Sequence, residues 1–165
     1  MNRLSFEAVA ADCLDEVYRY LLMLTADPTI AEDLTAATFE KALTRWRRYD
    51  PERAAPTTWL CAIGRNVALD HFRSEARRRR REEVYAVREP TLAEGTFGDG
   101  LSPELEQALE ALSAGEREVL ALRVVLDLDA EAAAQVLGIS RTACSMRLAR
   151  GLQKLEERMT TDALA

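Results

Sequence analysis

Residues 130–148 read AEAAAQVLGISRTACSMRL, and this stretch decides the fold. Ala133 and Ala134 are small enough for two helices to cross closely, while Leu137 and Ile139 bracket Gly138. A glycine at that point takes up the left-handed turn that ends a first helix. Ser140 then caps a second helix through its hydroxyl. Cys144, Leu148, Leu152 and Leu155 recur along that second helix at helical spacing, which predicts one inward face. The pattern is a helix-turn-helix, whose second helix enters the major groove of DNA with its N-terminal residues at the bases. On this reading Arg141, Thr142 and Ser145 face the groove, with Met146 beside them. Arg147, Arg150 and Lys154 are placed for phosphates, which add affinity and salt dependence without sequence choice. The plain alternative is a helical hairpin with a solvated basic face.

Working upstream, Ser113 with Glu116 three residues later forms a capping-box pattern that opens a helix through Val119, Leu120 and Leu122. Ser102-Pro103-Glu104 is another helix start, with serine as the cap and proline in the first turn. Between residues 82 and 101 the periodicity dissolves into Gly95, Gly98, Gly100 and Pro90 among acidic residues, which predicts a flexible linker. Charge is segregated around it. Residues 51–81 hold eight arginines against three acids, whereas residues 82–110 hold eight acids against Arg88 alone. The net charge of −6 averages these unlike parts and does not exclude a nucleic-acid partner.

The N-terminal part also reads as helical. A first helix, or two short ones, covers residues 1–27, with Val9, Leu14, Val17, Leu21 and Leu24 at helical spacing. A second spans about residues 29–46, with Ile30, Leu34, Ala37, Phe39, Leu43 and Trp46 as its apolar positions. Pro51 and Pro56 disfavour helix in the polar break that follows. A third starts near Thr57 with Trp59, Leu60, Ile63 and Val67 in one stripe and continues into the arginine run 77–81. The expectation is an all-α chain of two small helical domains, residues 1–81 and 102–165, joined by an acidic linker over residues 82–101.

Composition narrows the function classes. No apolar run is long enough to span a bilayer, and Glu7 and Asp12 interrupt any secretion signal, so a cytoplasmic protein without membrane insertion is expected. Cys13, Cys61 and Cys144 lie far apart beside a lone histidine, His71. That spacing offers neither a zinc site nor a disulfide framework, and the thiols read as buried and free. With no glycine-rich phosphate loop and no clustered catalytic set, neither an enzyme nor a cofactor or metal site is expected.

Three motifs in one order then carry a resemblance. Ala31-Glu32-Asp33-Leu34-Thr35-Ala36-Ala37-Thr38-Phe39 resembles the polymerase-binding helix of bacterial sigma factors. Thr58-Trp59-Leu60-Cys61-Ala62-Ile63-Gly64-Arg65-Asn66-Val67-Ala68-Leu69-Asp70 resembles their helix for the −10 promoter element. Gly138-Ile139-Ser140 followed by Arg147-Leu148-Ala149-Arg150 looks like their reader of the −35 element. Order and spacing are similar to the small two-domain, extracytoplasmic-function (ECF) type.

The resemblance implies that the helix bearing Asp33 docks on a coiled coil of the largest catalytic subunit of core RNA polymerase. Glu32 and Asp33 would meet basic residues there, with Leu34 and Phe39 holding the helix, and the flap of the second large subunit would be a further contact. It also implies a flipped base received in the loop 48–58, with Arg48 and Tyr49 as candidates. Arg65, Asn66 and Arg73 would touch the strand or its phosphates, and Arg77 with the rest of the arginine run would track the backbone. Trp59 reads as core rather than stacker. The acidic linker would thread the channel of the nascent RNA or serve as a plain tether. A cognate anti-sigma factor is a further implied partner. Ala36-Ala37 stand where members commonly show Gln-Glu, and Ser145 where Lys or Arg is frequent. A repressor or activator using the helix-turn-helix alone, without polymerase affinity, is the alternative. A sequestered relative that has lost promoter activity is a third reading. Ala163-Leu164-Ala165 could serve as a protease-read tail.

Overall fold

The computed structural model describes residues 4–83 and 96–163. Most of the linker, at 84–95, and the last two residues of the Ala-Leu-Ala tail lie outside the described residues. Among the described residues seven α-helices follow in chain order: α1 (Phe6–Thr25), α2 (Pro28–Arg45), α3 (Pro56–Glu83), α4 (Pro103–Glu110), α5 (Ala114–Leu120), α6 (Ala130–Leu137) and α7 (Arg141–Ala163). A 3-10 turn, Trp46–Arg48, prolongs α2, and a π turn, Ala121–Val125, prolongs α5. No strand occurs among the described residues, and none of the helices is long and apolar enough to cross a membrane.

Local chemistry sets most boundaries. Ser5 caps α1 by accepting the Ala8 amide at 3.2 Å. Asp27 accepts the amides of Thr29 and Ile30 at 2.9 and 3.1 Å, with Pro28 in the first turn of α2, which satisfies donors that a helix start leaves orphaned. The expected Ser102 cap forms on α4, and the full capping box forms on α5, with Ser113 and Glu116 exchanging hydrogen bonds at 3.2 and 2.9 Å.

Helices α1, α2 and α3 pack on one another around Val9, Cys13, Val17, Leu21, Ala31, Leu60, Cys61 and Val67, whereas α5, α6 and α7 enclose Val119, Leu120, Leu122, Ala133, Val136 and Cys144. All three cysteines are free and buried, as their spacing suggests. Three leucines assigned to inward stripes are exposed instead: Leu14 at 50%, Leu43 at 57% and Leu152 at 45%. Each lies on the flank of its stripe. Leu43 falls about 100° around α2 from the centre of the line of buried Ala31, Thr35 and Ala42, since an α-helix turns about 100° per residue. On α7 the inward line includes Gly151, where an added Cβ would stand 3.5 Å from a methyl of Leu120. The glycine lets α7 approach α5.

The two helical units also touch. α6 lies against α3, and α5 with its π turn lies against α1. The end of the linker takes part in this packing rather than dissolving. The Thr96 amide donates to the Ala26 carbonyl at 2.8 Å, Phe97 is buried, and the Arg117 guanidinium lies 5.6 Å from the centre of its ring.

Candidate nucleic-acid interface

The turn between α6 and α7 has the geometry that its residues predict. Gly138 adopts φ +65°, and the Ile139 amide returns to the Ala134 carbonyl at 3.1 Å. Ser140 accepts the Ala143 amide at 3.1 Å. Fully buried Cys144 seats α7, leaving Arg141, Thr142, Ser145 and Met146 exposed around a shallow hollow of about 490 Å³ that Ala130 completes. Arg150 is exposed as well. Two cations expected at phosphates are engaged elsewhere. Arg147 is half-buried over Gly115, where a Cβ would come within 3.2 Å of its Nη1. Lys154 donates to both carboxylate oxygens of Glu116, at 2.7 and 3.0 Å. Lys154 and the Ser113 amide both donate to Glu116, and they hold its carboxyl below the usual range.

Around the loop 48–58 an aromatic cluster forms. Tyr49 stacks on Trp46 at 5.0 Å between ring centres and lies 4.8 Å from Trp59, while Phe6 meets Trp46 edge-on at 5.5 Å. The Tyr49 hydroxyl donates to the Ala54 carbonyl at 3.0 Å. Asp50 accepts the Glu52 amide at 2.9 Å, and Thr57 donates to Glu16 at 2.6 Å, so both ends of the loop are fastened. Trp59 is half-buried inside the cluster. Phe6 and Trp46 have no place in the sequence-derived site, because nothing in the chain links positions 40 residues apart.

Along α3, Asn66, Arg73 and Arg77 are exposed, as is Arg48 before it. Arg73 pairs weakly with Asp70 at 3.4 Å. Arg65 is placed otherwise. Its Nε donates to Glu118 Oε1 at 2.8 Å, and the Tyr20 hydroxyl donates to the same oxygen at 3.0 Å. Burial pushes the Tyr20 hydroxyl well above its ordinary pKa, and Glu118 pushes in the same direction. On α2, Glu32, Asp33 and Ala36 form an open face. Leu34 is 7% exposed and Phe39 is half-buried. Leu34 therefore anchors this helix from behind and offers no contact to a partner. Between the two units lies a cavity of about 840 Å³, walled by Tyr18, Leu22, Phe97, Leu105, Val124 and Leu155 among others.

The chain matches the family models for Sigma-70 region 2 over residues 10–78 and for Sigma-70, region 4 over residues 102–155. It is 32% identical over 159 residues to the RNA polymerase sigma factor CarQ of Myxococcus xanthus, covering 93% of this chain and 88% of that one. It is 31% identical to the ECF RNA polymerase sigma factor SigC of Mycobacterium tuberculosis, covering 93% and 83%. The chain belongs to the ECF RNA polymerase sigma factors. The structure of the sigma factor RpoE from Bartonella quintana, solved with the anti-sigma factor NepR, shares the fold at a TM-score of 0.80. It is 22% identical, and the match covers 95% of this chain and 98% of that one. As a sigma factor the protein directs RNA polymerase to promoters, and its helix-turn-helix lies within the region 4 match. A stand-alone repressor or activator is set aside, because that reading leaves the whole region 2 match without a role.

Proposed function

We propose that this sigma factor divides promoter recognition between its two helical units. Residues 1–81 bind core polymerase and capture the −10 strand, residues 82–101 link the units, and residues 102–165 read the −35 element. The observation that carries the reading is the open first turn of α7, where Arg141, Thr142, Ser145 and Met146 project beside one another from a helix seated by Cys144. Arg141 can donate two hydrogen bonds to a guanine edge, and the Met146 side chain can lie against a thymine methyl. Arg150 and the outer edge of Arg147 then meet the phosphate backbone.

On the first unit, Glu32 and Asp33 supply the charge that meets a basic coiled coil of the largest polymerase subunit, while Leu34 and Phe39 fix the helix that presents them. The polymerase flap meets the second unit. Capturing the −10 strand requires unstacking a base, at a few kcal/mol, and aromatic contact returns about 1–3 kcal/mol per base. The prestacked cluster of Trp46, Tyr49 and Trp59 forms a rigid wall for that base, and Arg48 lies at its mouth. Arg65, Asn66, Arg73 and Arg77 follow the strand along α3. The protein works in the cytoplasm as a non-catalytic subunit and needs no cofactor. An anti-sigma factor restrains it, a reading supported by the mostly apolar cavity between the units and by the complex in which the Bartonella quintana relative was solved.

Transcription by sigma-free core polymerase supplemented with the purified chain, over a library of genomic promoters, tests this. Transcripts sharing two upstream elements are expected. Asp33→Arg should abolish core association at unchanged helicity, and Arg141→Ala should weaken −35 duplex binding by about tenfold or more. Core association that survives Asp33→Arg would remove Asp33 from the docking surface.

A further inference from the structure

The cavity of about 840 Å³ is walled by segments distant in sequence. Tyr18 and Leu22 come from α1, Phe97 and Leu101 from the stretch before α4, and Leu105 and Leu155 from α4 and α7. Its volume falls within the roughly 300–1,000 Å³ typical of small-molecule sites, which are mostly apolar and largely pre-formed. The wall at residues 96–99 is fastened already. The Thr96 amide donates to the Ala26 carbonyl at 2.8 Å, the Thr96 hydroxyl donates to Glu106 at 3.2 Å, and Phe97 is buried. The apolar lining then runs out into solvent at Val124 and Val125, 57% and 42% exposed on the π turn. Covering such surface is favourable.

The charged groups of the lining are mostly of one sign. Asp15, Glu32 and Asp99 are exposed there, opposed by Arg19 alone. Among the described residues no side-chain hydrogen bond or ion pair engages any of these three carboxylates. Glu32 and Asp99 also bracket one polar point in the apolar wall. Burial, and then the charges of these two residues, push the Tyr18 hydroxyl above its ordinary pKa. Unpaired carboxylates beside a low-dielectric wall attract a cation more strongly than they would in open water. A neutral occupant gains the apolar contact only, and an anionic one is repelled.

We propose that this cavity binds a single-chain amphiphile with a cationic head. The tail lies between Leu22, Phe97 and Leu105, and the head sits among Asp15, Glu32 and Asp99. Glu32 belongs as well to the face of α2 read as the polymerase-docking surface. A bound head therefore neutralises a charge that docking uses, so the amphiphile weakens polymerase binding and polymerase weakens the amphiphile by the same factor. That consequence, unlike the site itself, rests on the docking reading of α2.

Isothermal titration calorimetry of the full chain with dodecylammonium, dodecanol and dodecanoate, each kept below its aggregation threshold, tests the site. Dodecylammonium should bind about fivefold more tightly than dodecanol, and dodecanoate more weakly than either. Asp99→Lys, a charge reversal at an exposed position, should erase the preference for the ammonium head. Leu105→Trp fills the cavity and should abolish binding of both. Val125→Arg changes only the exposed rim and should weaken dodecylammonium selectively, which keeps the test valid if the tryptophan disturbs the fold. Equal affinity for dodecylammonium and dodecanoate, or binding indifferent to both Leu105→Trp and Val125→Arg, would overturn the site. Fluorescence anisotropy of labelled chain with core polymerase tests the consequence, and saturating dodecylammonium should weaken that association. If the amphiphile binds and core affinity stays the same, mutual exclusion is overturned, and Glu32→Gln without amphiphile shows why. Core affinity unchanged by Glu32→Gln retires the docking role of Glu32 and leaves the site standing, whereas lowered affinity places the bound head away from Glu32.

Discussion

A single backbone angle aims the recognition helix. Gly138 holds φ +65° with nothing within 4 Å of where a Cβ would stand, so substitution there meets backbone strain without steric obstruction. Gly138→Val should lower stability by about 1–2 kcal/mol and Gly138→Asn by clearly less, because asparagine tolerates the left-handed region. Urea unfolding followed by circular dichroism measures both, and equal midpoints would remove backbone strain as the cause. Ser140 and Gly138 are legible in the chain because their partners lie within four residues. Arg65 is not legible in the same sense. Its identity as a basic residue on α3 is plain, but the carboxylate that occupies it is 53 positions away. Lys154 and Arg147 escape for a related reason. A cation on a helix facing DNA reads as a phosphate contact until a neighbouring helix supplies Glu116 or closes over the side chain.

Among the elements, α5 depends most on one charge. Glu116 closes its capping box and also receives Lys154 from α7. Its folded pKa is lowered, so the stability it contributes is present above its unfolded pKa of about 4.3 and is lost as pH falls through the lower, folded value. Acid titration should therefore loosen the α5–α7 contact below about pH 4, and Glu116→Gln should flatten that part of the stability profile while lowering the plateau at neutral pH. An unchanged acid limb in Glu116→Gln, measured by thermal melts across pH, would assign the transition to other carboxylates. The helices themselves are legible from caps and periodicity, down to Ser102 and Ser113. Periodicity gives the centre of a buried stripe but not its width, which depends on how far the neighbouring helices reach. For that reason Leu14, Leu43 and Leu152 read as core and stand in solvent. The π turn after α5 has no local signature, and Phe97 looks like part of a polar tether until α1 and Arg117 are folded around it.

At the scale of the whole molecule, the chain announces two helical units and a division of charge, and says nothing of how the units meet. Tyr20, Arg65 and Glu118 come from three separate helices, and no spacing rule joins them. Their meeting point is set by shape, which only the folded chain possesses. One property of the two cores bears on how their separation can be watched. Cys13, Cys61 and Cys144 are all shielded, at 6%, 0% and 0% exposure, and burial pushes the Cys61 thiol up to about 12, which starves it of the reactive thiolate. A disulfide reagent should consequently find the native protein inert on the minute scale and all three positions available in denaturant. Its reaction rate becomes an intrinsic clock of breathing, two hands in the N-terminal bundle and one beneath the DNA-reading helix. Prompt modification of Cys144 in native buffer would mean that this last helix spends much of its time unseated.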